Sequence, residues 1–340
     1  MQPYYPPPFY APQISPAAIA KTGLRRAGNL TAAGLLAFEL IGVIIMIPVG
    51  MLSLFGVNTA GNSFLVMLAC NGLAAFLALY CVFSGLMKPL GCRDEVGKAF
   101  GKPISGVLVV CAVIIGFALA LCSDLLTNGL MWVLQQLQVP TEMPDFEPET
   151  LSGANIAMFV VQIAISPALL EEFAFRGVMM QSLRRYGDGF AIVASALVFG
   201  VFHGNIVQAP FAFLLGLAMG YLAIATGSIW TSVLIHFANN FNSVMLSIYQ
   251  QREGAEALGK VYYIELIVAL LLGAIAAIIF IADKNRQKLS PSPVGVPKKG
   301  RMSAFLLNPG MIILFVLLIG NALATMFLSD ILNNLGNLAP

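Results

Sequence analysis

The sequence predicts an all-α, polytopic transmembrane helical bundle of eight to nine spans, and three observations carry that prediction. Hydrophobic residues make up 59% of the 340-residue chain and charged residues only 10%, against about 25% charged in soluble domains. The apolar residues gather in runs near the length of about 20 that a helix needs to cross the hydrocarbon core. Lysine and arginine collect between alternate runs, as they do when one face of a membrane is cytoplasmic.

Taken in chain order, the elements read as follows. Residues 1–28 open with MQPYYPPPFYAPQ, a Pro/Tyr-rich stretch with no apolar core behind a basic flank, so they predict a disordered cytosolic tail and not a signal peptide. Residues 29–130 hold three apolar runs, 31–55, 63–86 and 105–127, each a helical span. An acidic loop, PTEMPDFEPET at 140–150, follows. A central segment, 153–250, holds four more runs, at 153–183, 189–205, 209–226 and 229–249; the middle two are short and separated only by GNIVQ. Residues 260–340 add spans at 262–282 and 305–328, joined by a basic linker at 284–303 whose LSPSPVGVPKKGR reads as flexible.

Charge then orients the bundle. With the N-terminus inside, the basic clusters at Lys21–Arg26, Lys88–Lys102, Arg184–Arg185 and Lys284–Arg301 all fall on the cytoplasmic side, and only Arg252 and Lys260 fall outside. A net charge of +2 without any basic-aromatic pattern excludes a nucleic-acid partner. The five cysteines, Cys70, Cys81, Cys92, Cys111 and Cys122, form no CxxC pair and read as small apolar residues. The apolar segments show no repeat of the kind that builds many transporters.

Ionisable groups inside a span are costly and mark function. The run SPALLEEFAFRG places Glu171, Glu172 and Arg176 in the fourth span. Glu172 and Arg176, four apart, share a helix face and can pair, whereas Glu171 is rotated by about 100° and is left unaccounted for. The only two histidines, His203 and His236, also lie in spans, and Asn239 and Asn240 follow His236 at three and four residues. At 1.5 Å per residue, Glu171 and His203 lie about 21 Å, and His236 about 10 Å, from their cytoplasmic helix ends. One mid-membrane cavity can collect all three if tilt or a kink absorbs the difference.

These groups permit hydrolysis. Glu171 with His203 can hold and deprotonate a water, and His236 with Asn240 can donate to a tetrahedral oxyanion. Two histidines and a glutamate are equally a zinc ligand set, so a metal-bound water on Glu171, His203 and His236 is a competing version. Ser166, Ser195 and Ser232 are weaker candidates, because serines in spans commonly bond to helix carbonyls.

Three blocks, EExxxR at Glu171, Glu172 and Arg176, FxxxH at Phe199 and His203, and HxxxN at His236 and Asn240, resemble the signature of the CPBP (CAAX prenyl protease type II and bacteriocin-processing, or Abi) membrane peptidases. The resemblance covers about residues 153–245. It implies an endopeptidase core in which Glu171 and His203 activate water, His236 and Asn240 stabilise the oxyanion, and Glu172 and Arg176 support them. No cofactor is firmly implied. Zinc stays open, although Asn240 is a poor zinc ligand and no thiolate is offered, which favours the metal-independent version. The expected partners are the lipid bilayer and a protein or peptide substrate, prenylated or secreted, at the plasma membrane. Rival readings are a catalytically silent scaffold or immunity protein and a proton-coupled transporter. The GxxxG pair Gly216 and Gly220 predicts close helix packing within the bundle.

Overall fold

The computed structural model describes residues 15–54, 63–139, 141, 147–148, 150–292 and 297–336. All regular structure among them is helical, as a bilayer requires of segments whose backbone polar groups can find no water. The helices are α1 (Pro16–Leu54), α2 (Leu65–Leu90), α3 (Arg93–Ala99), α4 (Gly106–Gln136), α5 (Gly153–Arg184) and α6 (Asp188–Phe202). They continue with α7 (Gln208–Thr226), α8 (Trp230–Glu253), α9 (Ala255–Ala282), α10 (Arg301–Leu306) and α11 (Pro309–Gly336).

The expected spans fall on α1, α2, α4 to α9 and α11. Six of these, α1, α2, α4, α5, α7 and α9, are long and apolar enough to cross a membrane. The other three differ for stated reasons. Helix α6 has only 15 residues, α11 counts as a shorter apolar helix over Pro309–Ala324, and α8 mixes His236, Asn239, Asn240, Asn242 and several serines and glutamines into its apolar residues.

Two expectations need correction. Residues 1–14 of the expected tail lie outside the described residues, but from Pro16 onward the chain is helical. Pro16 suits a first helical position and the following Ala, Leu and Arg residues favour helix, while Leu24 and Ala27 are buried in the core beside Phe305 of α10. The basic linker is not loose over its described residues. Ser290 N donates to Asp188 Oδ2 at 2.8 Å, Gln287 N to the Ala225 carbonyl at 2.9 Å, and Arg301 Nη1 to the Tyr186 carbonyl at 2.6 Å. Residues 293–296 of it, and most of the acidic loop at 140–150, lie outside the described residues.

The core sits where α5, α6, α7 and α8 meet, backed by α4, which packs on α7, α8 and α9, and by α1, which packs on α2, α10 and α11. Gly216 and Gly220 do bring α7 close to its neighbours. A methyl at Gly216 would meet Ala196 Cβ of α6 at 3.1 Å, and one at Gly220 would meet Ile192 at 3.3 Å. Helix α5 departs from regular α geometry twice, in π-helical turns at Val160–Ile165 and Phe173–Met179. Pro167 follows the first of these. Such turns insert a residue, release carbonyls from the helical ladder and recur at functional sites. Glu171 and Glu172 lie on the α-helical stretch between them.

Candidate active site

Glu172 and Arg176 form the buried pair that their spacing predicts. Arg176 Nη1 lies 2.7 Å from Glu172 Oε1, and both side chains are 0% exposed. Taking two charges out of water repays its cost only with further partners, and two are present. The Arg176 guanidinium lies over the Phe199 ring, 4.2 Å from its centroid, and His236 Nδ1–H donates to the same Glu172 oxygen at 3.0 Å. That bond spans 64 positions and ties α8 to α5.

His236 is thereby oriented. With Nδ1–H fixed on Glu172, Nε2 points toward Glu171, whose Oε2 lies 4.0 Å away. Glu171, 16% exposed, has that oxygen buried and without a hydrogen-bond partner. The two adjacent carboxylates thus grip opposite edges of one imidazole, Glu172 by contact and Glu171 across a gap.

His203 lies just past the last residue of α6. Its Nδ1–H donates to the Phe199 carbonyl at 2.8 Å; a carbonyl only accepts, so the proton is on Nδ1 and Nε2 of the neutral ring keeps its lone pair. Phe199 packs edge-on against both histidines, with centroid distances of 4.8 Å to His203 and 5.9 Å to His236. One ring therefore touches Arg176 and both imidazoles. The sequence marked Phe199 only as the start of the FxxxH block, four residues before His203.

Asn240 Nδ2 donates to the Ile163 carbonyl at 2.9 Å, a group within the first π turn of α5. Asn239 Nδ2 donates to Asn240 Oδ1 at 3.0 Å and fixes which way the amide faces. The neighbouring serines behave as helix residues: Ser195 and Ser232 hydroxyls donate to the Ile192 and Ile229 carbonyls.

Two cavities flank this constellation. One, of about 320 Å³, is lined by Glu171 together with Phe38, Leu68, Leu79, Ile163 and Leu170 from α1, α2 and α5, and is largely apolar. The other, of about 410 Å³, is lined by Ile163, Asn239, Asn240, Asp124 and Ser243 and is more polar. Among the described residues no group of three His, Cys, Asp or Glu side chains is arranged to hold a metal ion. As placed, Glu171, His203 and His236 do not converge as a zinc set.

Residues 153–242 match the family model described as type II CAAX prenyl endopeptidase Rce1-like. This segment is similar to the Rce1-like family. All three sequence blocks and every side chain of the constellation fall inside it, in agreement with the CPBP resemblance. No curated protein and no solved structure matches the chain. The Rce1-like family implies a peptidase of the CAAX type acting within the membrane, and the Rce1-like segment here runs through α5, α6, α7 and the first half of α8.

Proposed function

We propose that this chain is an intramembrane endopeptidase that hydrolyses a peptide bond with a water activated by Glu171. The observation that carries the reading is the buried, unpartnered Glu171 oxygen facing His236 Nε2 across 4.0 Å. That gap is too long for a direct hydrogen bond and fits a water or substrate oxygen shared by both groups.

In this mechanism Glu171 takes a proton from water as it attacks the scissile carbonyl, and returns that proton to the leaving amine when the tetrahedral intermediate collapses. His203 Nε2 assists in holding the water. His236, held through Nδ1 on Glu172, turns its Nε2 edge to the developing oxyanion, where a proton on Nε2 makes it a donor, and the remaining amide N–H of Asn240 adds a second. Arg176 and Phe199 keep Glu172, and through it His236, in position.

The substrates fitting this site are membrane-associated or lipidated, CAAX-like proteins, or secreted peptides. The apolar cavity beside Glu171 supports that class, since it accepts a hydrocarbon chain or an apolar segment next to the carboxylate. The basic clusters support a cytoplasmic N-terminus, and the membrane proposed is the plasma membrane.

The test is cleavage of a fluorogenic peptide panel, with and without a prenylated cysteine, by wild-type protein and His203→Ala, each with and without a zinc chelator. Cleavage that survives chelation and falls about 100-fold or more in His203→Ala is expected. Chelator-sensitive cleavage transfers the chemistry to a metal, and no cleavage of any member removes the peptidase reading.

A further inference from the structure

Hydrolysis at Glu171 uses only the Asn240 wall of the more polar cavity, whose volume is about 410 Å³. Helix α4 lines that cavity with Asp124, Thr127 and Asn128, which share one helix face, and α8 lines it with Asn240, Ser243 and Ser247. The two helices run parallel and in register. A methyl at Gly116 would meet Ile235 at 2.7 Å, and Asn128 and Ser247, each twelve residues further on, line a neighbouring cavity together. Asp124 therefore stands level with Ser243, three residues or about 4.5 Å along the axis past Asn240.

Asp124 lies within a helix long and apolar enough to span the membrane, is half-buried, and has neither an ion pair nor a hydrogen bond among the described residues. Its carboxylate oxygens are not sealed off. No Lys, Arg or His lines the cavity. The other charged groups near Asp124 are also acids: Glu147 on the cavity wall, which accepts from Gln251 Nε2 at 2.9 Å, and Glu265 of α9. A second, independent observation comes from the hydroxyls. Thr127, only 8% exposed, has its Oγ1 without a hydrogen-bond partner, and so has Ser247. An ionisable side chain facing a protein-lined cavity within a span marks function, and polar groups left unmade in such a place are costly. Walls that offer carboxylate and hydroxyl oxygens and no cation suit a guest made only of donors, which is what an ammonium or a guanidinium is.

We propose that this cavity is a substrate subsite for a lysine or arginine side chain, with Asp124 as its specificity-determining residue. The inference rests on the peptidase reading, in which Asn240 at the cavity wall is a donor to the oxyanion. An extended peptide advances about 3.3 Å per residue, so a carboxylate about 4.5 Å past Asn240 meets the side chain of a residue next to the scissile bond or one further along. Asp124 touches no reacting atom and acts on which peptide is held. The preferred substrate is then a membrane peptide with an apolar part beside Glu171 and a basic residue flanking the cleaved bond.

The experiment compares the full chain and its Asp124→Asn variant, nearly identical in shape, in phosphatidylcholine nanodiscs. The probes are fluorogenic peptides that carry lysine, norleucine or glutamate at each position flanking the cleaved bond. Wild type should favour lysine over norleucine about tenfold in kcat/KM at one position, the worth of one charge-assisted bond. Asp124→Asn should lose that preference while cleaving the norleucine peptides at the wild-type rate. A second arm measures binding of the same peptides, without turnover, to Glu171→Gln and to Glu171→Gln/Asp124→Asn by fluorescence anisotropy, where the same tenfold difference should appear and vanish. Cleavage without a lysine preference, or with one that survives Asp124→Asn, overturns the subsite and leaves hydrolysis standing. Lysine-selective binding through Asp124 with no peptide cleaved sinks the hydrolysis and supports the basic subsite, and the absence of both cleavage and charge-dependent binding overturns the two together.

Discussion

Replacing Arg176 by methionine keeps most of its length but removes the charge that faces Glu172. Both groups are fully buried and 2.7 Å apart, and removing one partner of such a pair typically costs about 3–5 kcal/mol because the other charge is left in low dielectric. Loss of the stacking on Phe199 adds to this, while the surviving bond from His236 Nδ1 to Glu172 offsets part of it. The expected loss is therefore near the lower end, about 3 kcal/mol. In Arg176→Met/Glu172→Gln no buried charge is stranded, so the double variant should recover about 1.5 kcal/mol or more of that loss. Reversible unfolding by SDS in mixed micelles, read from Trp230 fluorescence beside Phe100, measures both. A single variant within about 0.5 kcal/mol of wild type, or a double variant losing the sum of the two singles, would refute the reasoning.

Three further outcomes are expected. Asn240→Ala removes the donor to the Ile163 carbonyl and should cost about 1–3 kcal/mol, with faster hydrogen exchange across 160–165; unchanged protection there would contradict the assignment. Gly216→Ala should destabilise by about 1–3 kcal/mol through overpacking against Ala196 and Arg176, whereas Gly42→Ala, with nothing within 4 Å, should be neutral in the same titration. Burial pushes the Cys92 thiol, outside the spans, up to about 11 from the usual 9.0. Between those values the unfolded chain ionises and the folded chain does not, so stability should fall as pH rises through this window. Cys92→Ala should lessen the fall, and an identical pH profile would reject a buried thiol.

Helix content, the positions of the apolar segments and the Glu172–Arg176 pair were legible in the sequence because each depends on local period and spacing. The family blocks implied one shared site but paired Glu171 with His203 and His236 with Asn240, whereas His236 stands between Glu171 and Glu172. Contacts made across the fold were not legible. His236 bridging both carboxylates depends on how α8 packs against α5. The Ile163 carbonyl that Asn240 bonds stands four residues before Pro167, which has no N–H to give it; that Asn240 of α8 reaches it is a tertiary effect. The FxxxH block marks Phe199, but its contact with Arg176 is made across the fold and shows only in the structure. The helix beginning at Pro16 was hidden by the proline-rich run before it, since the burial of Leu24 and Ala27 beside α10 is a tertiary effect.

The most direct test of Glu171 as the water-activating group is hydrolysis of the best peptide in the panel by purified wild-type protein and Glu171→Gln in the same nanodiscs, with products mapped by mass spectrometry. Glu171→Gln keeps the shape but cannot accept the water proton, so cleavage at the same bond should fall about 100- to 10,000-fold with unfolding behaviour unchanged. Cleavage by Glu171→Gln at the wild-type rate would contradict the account.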